Sequence, residues 1–156
     1  MHNILGISDA ASLGLHAMMF LARAQEGELL SVHELAGRLD ASEAHLGKVL
    51  QRLGKAGFVA SRRGPGGGFC LARSSDEVTL LAVYQAIEGE LPSGQCLLGR
   101  PACDGQPCLL GGLLRSVSDS VYQYLSSQRL SDFLIGRDSY HPDMDGLSHQ
   151  PREAVS

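Results

Sequence analysis

The sequence contains no tryptophan, has only 5% aromatic residues and lacks a long uninterrupted apolar run. Its most apolar stretch, residues 10–22, is broken by Ser12, Gly14 and His16 and is too short to span a bilayer. Neither a basic n-region nor a small-residue cleavage site accompanies this stretch, so we expect a cytoplasmic protein. With 44% hydrophobic and 19% charged residues over 156 positions, the composition excludes disorder throughout the chain.

Motifs for catalysis are also missing. The glycine-rich run over residues 64–68 lacks the Lys and Ser/Thr that follow the glycines of a phosphate-binding P-loop. The six histidines are scattered, and no set of nucleophile, base and acid is evident. Each histidine fits a surface or packing position better than a ligand position. We therefore expect that the protein is not an enzyme.

Positive charge is scarce overall but concentrated in one segment. The net charge is −4, yet residues 38–73 hold seven Lys or Arg against two acids, whereas residues 74–156 hold five Arg against eleven acids. A basic segment on an acidic protein indicates a localised polyanion site. A solvated helix face would explain the charge alone equally well.

Two helices and a hairpin are predicted in this basic segment. Ser31 is an N-cap candidate for a short helix, and Ser42 for a second one that ends at Gly57 and turns its basic side chains outward. Two strands, over residues 58–63 and 69–73, flank the glycine-rich run. A hairpin directly after two such helices predicts a winged helix-turn-helix.

Duplex DNA is the first candidate ligand of this motif. The start of its second helix would face base edges, where Glu43 could accept from a cytosine amino group, while Lys48 and Arg52 would lie near phosphates. The arginines at the base of the wing could enter the minor groove. The candidate DNA-binding residues are Ser42, Glu43, Ala44, His45, Lys48, Arg52, Arg62, Arg63, Gly66 and Gly67. A protein-interaction module is the alternative, since winged helices serve that role too.

Further helices are predicted on either side of this motif. Ser8 can cap a first helix that runs to about Ala24, and Thr79 can cap another that ends at Gly89. The apolar positions of the first helix predict an inward face of Leu13, Ala17, Phe20 and Leu21.

A long helix is predicted after residue 109. Its apolar residues recur at alternating intervals of four and three positions. This spacing is typical of the seam of a helix that packs lengthwise against another helix. On a chain this small the expected partner is a second copy. The seam consists of Leu110, Leu114, Val117, Val121 and Tyr124.

Three of the four cysteines lie within thirteen residues. Cys96, Cys103 and Cys108 follow a C-x6-C-x4-C spacing on a turn-rich segment, which lets the thiolates converge on one soft metal centre. In a reducing compartment such clusters serve metal or redox chemistry. Because the C-x2-C pairs of zinc ribbons are missing, we favour an iron–sulfur cluster, 4Fe-4S or 2Fe-2S, over zinc. Cys70 is expected to be a bystander or a small packing residue.

Three cysteines leave one cluster position for another residue. No histidine occurs between His45 and His141, so the fourth ligand must come from elsewhere, including a partner subunit. An exchangeable oxygen or nitrogen ligand of that kind suits a sensor better than a structural site.

These motifs together resemble a known family. The basic helix and the wing are similar to those of the Rrf2 family of bacterial winged-helix transcription regulators, and the clustered cysteines add to the match. The resemblance covers about residues 1–135 and implies a homodimer joined along the long helix, with a cluster near the dimer interface. It rests on the runs His45-Leu46-Gly47-Lys48-Val49-Leu50, Gly64-Pro65-Gly66-Gly67-Gly68-Phe69 and Leu71-Ala72-Arg73.

The resemblance also implies ligands. Cys96, Cys103 and Cys108 match the cysteines of the family. IscR-like members use a histidine three residues beyond the last cysteine, where this chain has Gly111. NsrR-like members can use an acidic residue near the start of the first helix, donated across the dimer, and Asp9 occupies that place. The alternative for Asp9 is a first-turn acid favoured by the helix dipole.

We thus expect a mainly α fold with a small β-hairpin wing. Its parts are a winged helix-turn-helix over residues 1–90, a cluster loop over 91–108, a dimerisation helix with a short following helix over 109–136, and a disordered tail over 137–156. The expected function is a homodimeric repressor that binds a palindromic operator in double-stranded DNA and senses redox state, nitric oxide or iron–sulfur status. The alternatives are a zinc-binding or cluster-free regulator, an interaction module and a small electron-transfer protein.

Overall fold

The computed structural model describes residues 7–91 and 108–134. No helix in these two ranges is long and apolar enough to cross a membrane. The mainly helical architecture with one β-hairpin confirms the expected fold class. Residues 92–107 of the predicted cluster loop (91–108) and the predicted tail over 137–156 lie outside the described residues. The elements are α1 (Asp9–Arg23), α2 (Val32–Leu39), α3 (Glu43–Lys55), β1 (Val59–Arg62), β2 (Gly68–Leu71), α4 (Leu80–Glu88), α5 (Gly111–Ser127) and a 3-10 turn (Leu130–Phe133).

Hydroxyl side chains start the first four helices. Ser8, Ser31, Ser42 and Thr79 each have extended backbone angles, and each side chain accepts from the backbone N–H three residues later. At Ser31 the pairing is reciprocal, because Glu34 accepts from the Ser31 backbone N–H at 2.7 Å. Each cap satisfies an amide that helix geometry leaves unpaired. The helix starts predicted at these four residues are therefore confirmed.

The core lies where α1 packs against α3 and α4. The apolar side chains of α3 face inward and its basic ones face outward, as the sequence pattern predicted. Burial of one whole face holds α3 firmly in the domain, since each buried aliphatic side chain contributes roughly 1.5–3 kcal/mol. The inward residues of α3, each at most 2% exposed, are Leu46, Val49, Leu50 and Leu53.

Helix α1 approaches its neighbours most closely at Gly14. A Cβ at this position would lie 2.1 Å from Cδ1 of Ile87 and 3.2 Å from Cγ1 of Val49. The predicted inward face of α1 is confirmed but incomplete: Leu13 and Phe20 pack half-buried against the core, whereas Ala11, Gly14 and Met18, which were not predicted, are buried. Close helix packing favours small residues on the contact face, and these carry a weak apolar signal. The buried residues of α1 are Ala11, Gly14, Ala17, Met18 and Leu21.

The wing consists of β1 and β2 around a glycine-rich tip. The antiparallel register places Arg62 opposite Gly68. Gly64 and Gly66 have φ angles of +97° and +72°, in the left-handed region that glycine enters without strain. A Cβ at Gly67 would lie 2.3 Å from the carbonyl oxygen of Arg62. The tight tip therefore requires the glycine run.

The segment before α2 is hydrogen-bonded to the wing, a contact that the sequence did not indicate. The backbone N–H of Leu30 donates to the Phe69 carbonyl at 3.0 Å, and the Phe69 N–H donates back at 2.8 Å. A Cβ at Gly68 would lie 2.7 Å from the Leu30 carbonyl oxygen, so glycine lets these backbones meet. The bridge attaches the wing to the helix-turn-helix.

Helix α5 is attached to the core near its C-terminal end. Leu125 and Leu130 are buried, and the Leu130 N–H donates to the Val78 carbonyl at 3.0 Å. Val121, part of the predicted seam, packs half-buried against the core. Part of the seam is therefore used within the chain.

The substitution Gly14→Val tests the close approach of α1. The new side chain must displace Ile87 or Val49 within a packed core, so we expect the free energy of unfolding to fall by about 1–3 kcal/mol in urea denaturation. The matched control is Gly37→Val on α2, where a Cβ would meet no atom within 4 Å. Stability of the control should change by less than about 0.5 kcal/mol. Equal losses in both variants would contradict the close packing at Gly14.

Candidate nucleic-acid interface and cofactor ligands

The first turn of α3 presents four predicted base-facing residues to solvent. Ser42, Glu43, Ala44 and His45 are all exposed. The hydroxyl of Ser42 also accepts from the His45 N–H at 3.2 Å, so Ser42 lies at the tip of the helix. In a helix-turn-helix, this end of the second helix is the part that reaches base edges.

Glu43 pairs with a residue that sequence reasoning missed. Its Oε1 lies 2.7 Å from Nδ1 of His33 on α2. The hydrogen bond to Glu43, and then the charge of Glu43, raise the pKa of His33. His33 was grouped with the scattered histidines, because nothing in the local pattern indicates that residues 33 and 43 meet.

Lys48 and Arg52 lie on the outer face of α3, and both are exposed. The Nη1 of Arg52 donates to the backbone carbonyl of Ile87 on α4 at 3.0 Å. Part of its guanidinium therefore joins α3 to α4, a role that the sequence did not indicate. Since a guanidinium carries five N–H donors, phosphate contact by Arg52 stays a prediction for the remaining ones.

The predicted wing contacts lie at the end of β1 and at the tip. Arg62, Arg63 and Gly66 are exposed, and Gly67 is half-buried. The two arginines are adjacent in the chain, so both guanidinium groups extend from the same short stretch of backbone. The structure thus places two positive charges next to the glycine-rich tip.

A groove of about 340 Å³ separates α3 from the wing. The hairpin forms it by folding back beside α3, which brings residues of β1 next to the outer face of the helix. Sequence reasoning placed Lys55 on that face but did not connect it with Ser61 on β1. The groove is lined by the polar residues Gln51, Lys55 and Ser61 and by Leu50, Gly54, Val59 and Phe69.

The described residues include two of the four predicted cofactor ligands. Cys108 is exposed shortly before α5, and Asp9 is exposed as the first residue of α1. Cys96 and Cys103 lie outside the described residues. Within residues 7–91 and 108–134, no group of three His, Cys, Asp or Glu side chains could hold a metal ion. A metal centre of the predicted kind therefore needs the other two cysteines.

Gly111, at the position of the IscR-like histidine, lies very close to Cys108. A Cβ at Gly111 would be 3.1 Å from the Cβ and 3.7 Å from the Sγ of Cys108. The Gly111 N–H also donates to the Cys108 carbonyl at 3.1 Å. A larger side chain at position 111 would crowd the thiol in this conformation.

The start of α1 and the end of α3 are both bonded to the last turn of α4. Ser8, which precedes Asp9, donates its Oγ to Oε1 of Glu88 at 2.6 Å. The preceding residue, Ile87, accepts from Arg52 through its carbonyl. The predicted ligand Asp9 is thus connected to α3 through its neighbour Ser8, the adjacent residues Glu88 and Ile87, and two hydrogen bonds.

Comparison with known proteins places the chain in a family. Residues 7–135 match the family model of Rrf2, described as an iron-dependent transcriptional regulator. The transcriptional regulator IscR of Pectobacterium carotovorum subsp. carotovorum is 32% identical over 124 residues, which cover 78% of this chain and 74% of the relative. The transcriptional regulator NsrR of Geobacillus kaustophilus is 27% identical over 139 residues, which cover 85% of this chain and 92% of the relative.

Solved structures are similar over most of the chain. IscR of T. potens matches with a TM-score of 0.65 and 27% identity, covering 82% of this chain and 85% of the other. CymR, the global cysteine regulator of B. subtilis, matches with a TM-score of 0.67 and 26% identity, covering 86% and 97%. The relatives are helix-turn-helix regulators and not enzymes. The chain therefore belongs to the Rrf2 family and is a DNA-binding transcriptional regulator with a winged helix-turn-helix.

Proposed function

We propose that the chain is a cytoplasmic, homodimeric repressor whose affinity for a palindromic operator depends on an iron–sulfur cluster. The proposed ligands are Cys96, Cys103 and Cys108 of one subunit and Asp9 donated across the dimer. One observation carries the proposal: the start of α1, where Asp9 lies, and the end of the recognition helix α3 are attached to the same turn of α4.

The donor set fits such a cofactor. Thiolates are the usual ligands of iron–sulfur clusters, and a carboxylate oxygen is a harder, more exchangeable ligand beside them. A bound cluster supplies iron–ligand bonds that respond to nitric oxide, to oxygen or to loss of iron. The exposed positions of Cys108 and Asp9 leave both donors accessible. The relatives IscR and NsrR and the iron-dependent family description support the assignment.

The contacts of the chain provide a route from Asp9 to the recognition helix. Asp9 would hold the cluster from the first turn of α1, which Ser8 caps, so a change in its ligation would act on that turn. The Ser8 hydroxyl donates to the Glu88 carboxylate, and the carbonyl of Ile87, the residue before Glu88, accepts from Arg52 in the last turn of α3. Because the helices between these points are closely packed, α1 cannot tilt without moving its neighbours.

A small movement of α3 is sufficient for control of DNA binding. A dimer must meet two half-sites at once, so its two recognition helices need a fixed separation. A rotation of one subunit that shortens or lengthens this separation costs several kcal/mol of operator binding.

Exposed apolar residues around α5 support the homodimer. Such a concentration of apolar surface favours association. We assign residues 109–136 to dimerisation, residues 91–108 to the cluster loop and residues 1–90 to DNA binding. Among the described residues of this segment, the exposed large apolar side chains are Leu109 (95%), Leu110 (39%), Leu113 (61%), Tyr122 (52%), Tyr124 (49%) and Leu134 (36%).

The DNA-binding surface in the proposal combines α3 and the wing. The first turn of α3 reads base edges, its outer face approaches phosphates, and the wing contacts the minor groove or the backbone. Glycine at the tip permits close approach of the wing backbone. In chain order, the contacting residues are Ser42, Glu43, His45, Lys48, Arg52, Arg62, Arg63, Gly66 and Gly67.

Cluster binding can be tested on protein purified without air. We expect visible absorption with iron and acid-labile sulfide, which Cys103→Ser abolishes because it removes one thiolate ligand. Cys70→Ser is the matched control, since Cys70 lies on β2 opposite Ala60. Asp9→Ala should leave fold and dimer intact but make the cluster bleach faster in air.

Three results would contradict this assignment in different ways. Colourless protein containing zinc would support a zinc-binding regulator, and metal-free protein that binds duplex DNA would support a cluster-free one. A cluster that cycles between redox states without any change in DNA affinity would support electron transfer. Equal cluster stability in Asp9→Ala and the parent would remove Asp9 from the ligand set.

Arg62 provides a test of the wing. If Arg62 contacts phosphate, Arg62→Ala should weaken binding to all duplexes and lower the slope of log K against log salt by about 1, because one fewer counterion is released. Fluorescence anisotropy titrations at several salt concentrations measure both quantities. Arg23→Ala, which removes the same charge outside the helix-turn-helix and wing, should leave the slope unchanged. An unchanged slope in Arg62→Ala would remove Arg62 from the interface.

Leu113 provides a test of the dimer. Leu113→Glu places a charge on the exposed apolar surface of α5, so we expect a monomer in sedimentation analysis and loss of tight operator binding. Gln85→Glu adds the same charge on the exposed face of α4 and should remain dimeric. A dimer that survives Leu113→Glu unchanged would exclude this surface as the interface.

A further inference from the structure

His33 and Glu43 form a hydrogen-bonded pair, which is an ion pair when His33 is protonated, between the two helices of the helix-turn-helix. His33 lies in the first turn of α2, and Glu43 is the first residue of α3. Nδ1 and Oε1 are 2.7 Å apart, and the side chains are 84% and 54% exposed. The pair borders a depression of about 230 Å³ between the helices, which Asp40 in the connecting turn also lines. A duplex docked on the start of α3 would therefore approach both side chains.

Acidic groups lie near the imidazole of this pair. Glu43 faces it from α3, Glu34 follows it on α2, and Asp40 lies in the turn. The other charged or titratable groups on these elements are Arg38, whose guanidinium lies over the Phe20 ring of α1, and His45, Lys48, Arg52 and Lys55 along α3. The local charges therefore favour the protonated imidazole.

We propose that His33 is a positioning residue of the DNA-reading surface, which holds the Glu43 carboxylate in one orientation for base readout and keeps a proton there when the duplex binds. The inference rests on the proposed assignment of the first turn of α3 to base contact. It adds to that assignment a residue of α2 and a dependence of DNA affinity on pH.

Orientation is the first consequence of the ion pair. A glutamate side chain loses rotamer freedom when it contacts a base, and this loss weakens binding. His33 holds one carboxylate oxygen of Glu43 before the duplex arrives. The second oxygen remains available as an acceptor for a cytosine amino group. Base preference at that position should therefore depend on His33 as well as on Glu43.

Charge is the second consequence. A bare carboxylate at this turn would repel phosphates, and a protonated His33 cancels its charge. The field of the phosphates favours protonated His33 further, so the pKa of His33 is higher in the complex than in the free protein. By linkage, affinity is highest below the free-protein pKa, falls as pH rises toward the pKa in the complex, and then levels off. Exposed ion pairs contribute little to the free energy of folding. Loss of the pair should therefore change DNA binding rather than stability, which distinguishes the proposed role from a structural one.

The test uses the full chain, purified without air, and the duplex that it selects from a pool with a randomised centre. Unaltered protein should bind this duplex about three- to tenfold more weakly at about pH 8 than at about pH 6. His33→Gln keeps a neutral donor for Glu43, so it should lose the pH dependence but keep the cytosine preference. His33→Ala and Glu43→Gln should lose both.

Two other histidines serve as controls. His16, whose Nδ1 lies 2.7 Å from the Ser12 carbonyl oxygen on α1, is outside the DNA-reading surface, so His16→Gln should keep the full pH dependence. His45→Gln removes the other histidine on that surface. If His45→Gln abolishes the pH dependence and His33→Gln does not, the proton belongs to His45 and the inference is overturned. Any pH response of the cofactor is common to all variants, so the comparison cancels it.

A measurement without DNA tests the pair itself. Proton NMR titration of the imidazole should show that Glu43→Gln lowers the pKa of His33, and an unchanged pKa would overturn the inference. Failure of unaltered protein to bind any duplex would overturn the DNA-reading surface and this inference with it. Duplex binding with the same pH dependence and base preference in His33→Ala would overturn the inference alone.

Discussion

The close packing of α1 against α3 and α4 is the contact on which the rest of the structure depends. At Gly14 there is no room for a Cβ beside Ile87 and Val49, so the three helices share one rigid interface. Polar contacts at the last turn of α4 extend this interface to the N-terminus of α1 and to the C-terminus of α3. The proposed regulation needs this rigidity, since a recognition helix that tilted freely would lose both affinity and the proposed response to ligation at α1.

Backbone contacts hold the wing in the same way. The glycines of the run are needed for different geometric reasons. Gly64 and Gly66 have positive φ angles, whereas Gly67 and Gly68 allow close approach of backbone carbonyls. The contact at Gly68 joins β2 to Leu30, just before α2. The wing and the helix-turn-helix are therefore attached to one another on the side of the domain that carries the proposed DNA contacts. The motif that marks the family in the sequence thus has a physical reason in the fold.

Sequence reasoning succeeded where the signal is local and was incomplete where small residues form the contact. The serine caps, the inward and outward faces of α3 and the hairpin follow from single residues and short periodicities. The predicted face of α1 packs against the core but was incomplete, because Ala11 and Gly14 carry a weak apolar signal and were missed. The outward position of Arg52 was predicted correctly, but its hydrogen bond to the Ile87 carbonyl was not predicted. The ligand assignment rests on cysteine spacing and on the family resemblance.

By itself, the sequence determined where helices begin, which face of α3 is buried and where the chain turns, because neighbouring residues control these properties through capping, periodicity and glycine conformation. Only the tertiary structure decided which polar side chains meet. Ser8 and Glu88 are separated by 80 positions, Arg52 and Ile87 by 35, and His33 and Glu43 by 10. No local pattern relates such pairs, since their distances depend on how α1, α2, α3 and α4 pack against one another.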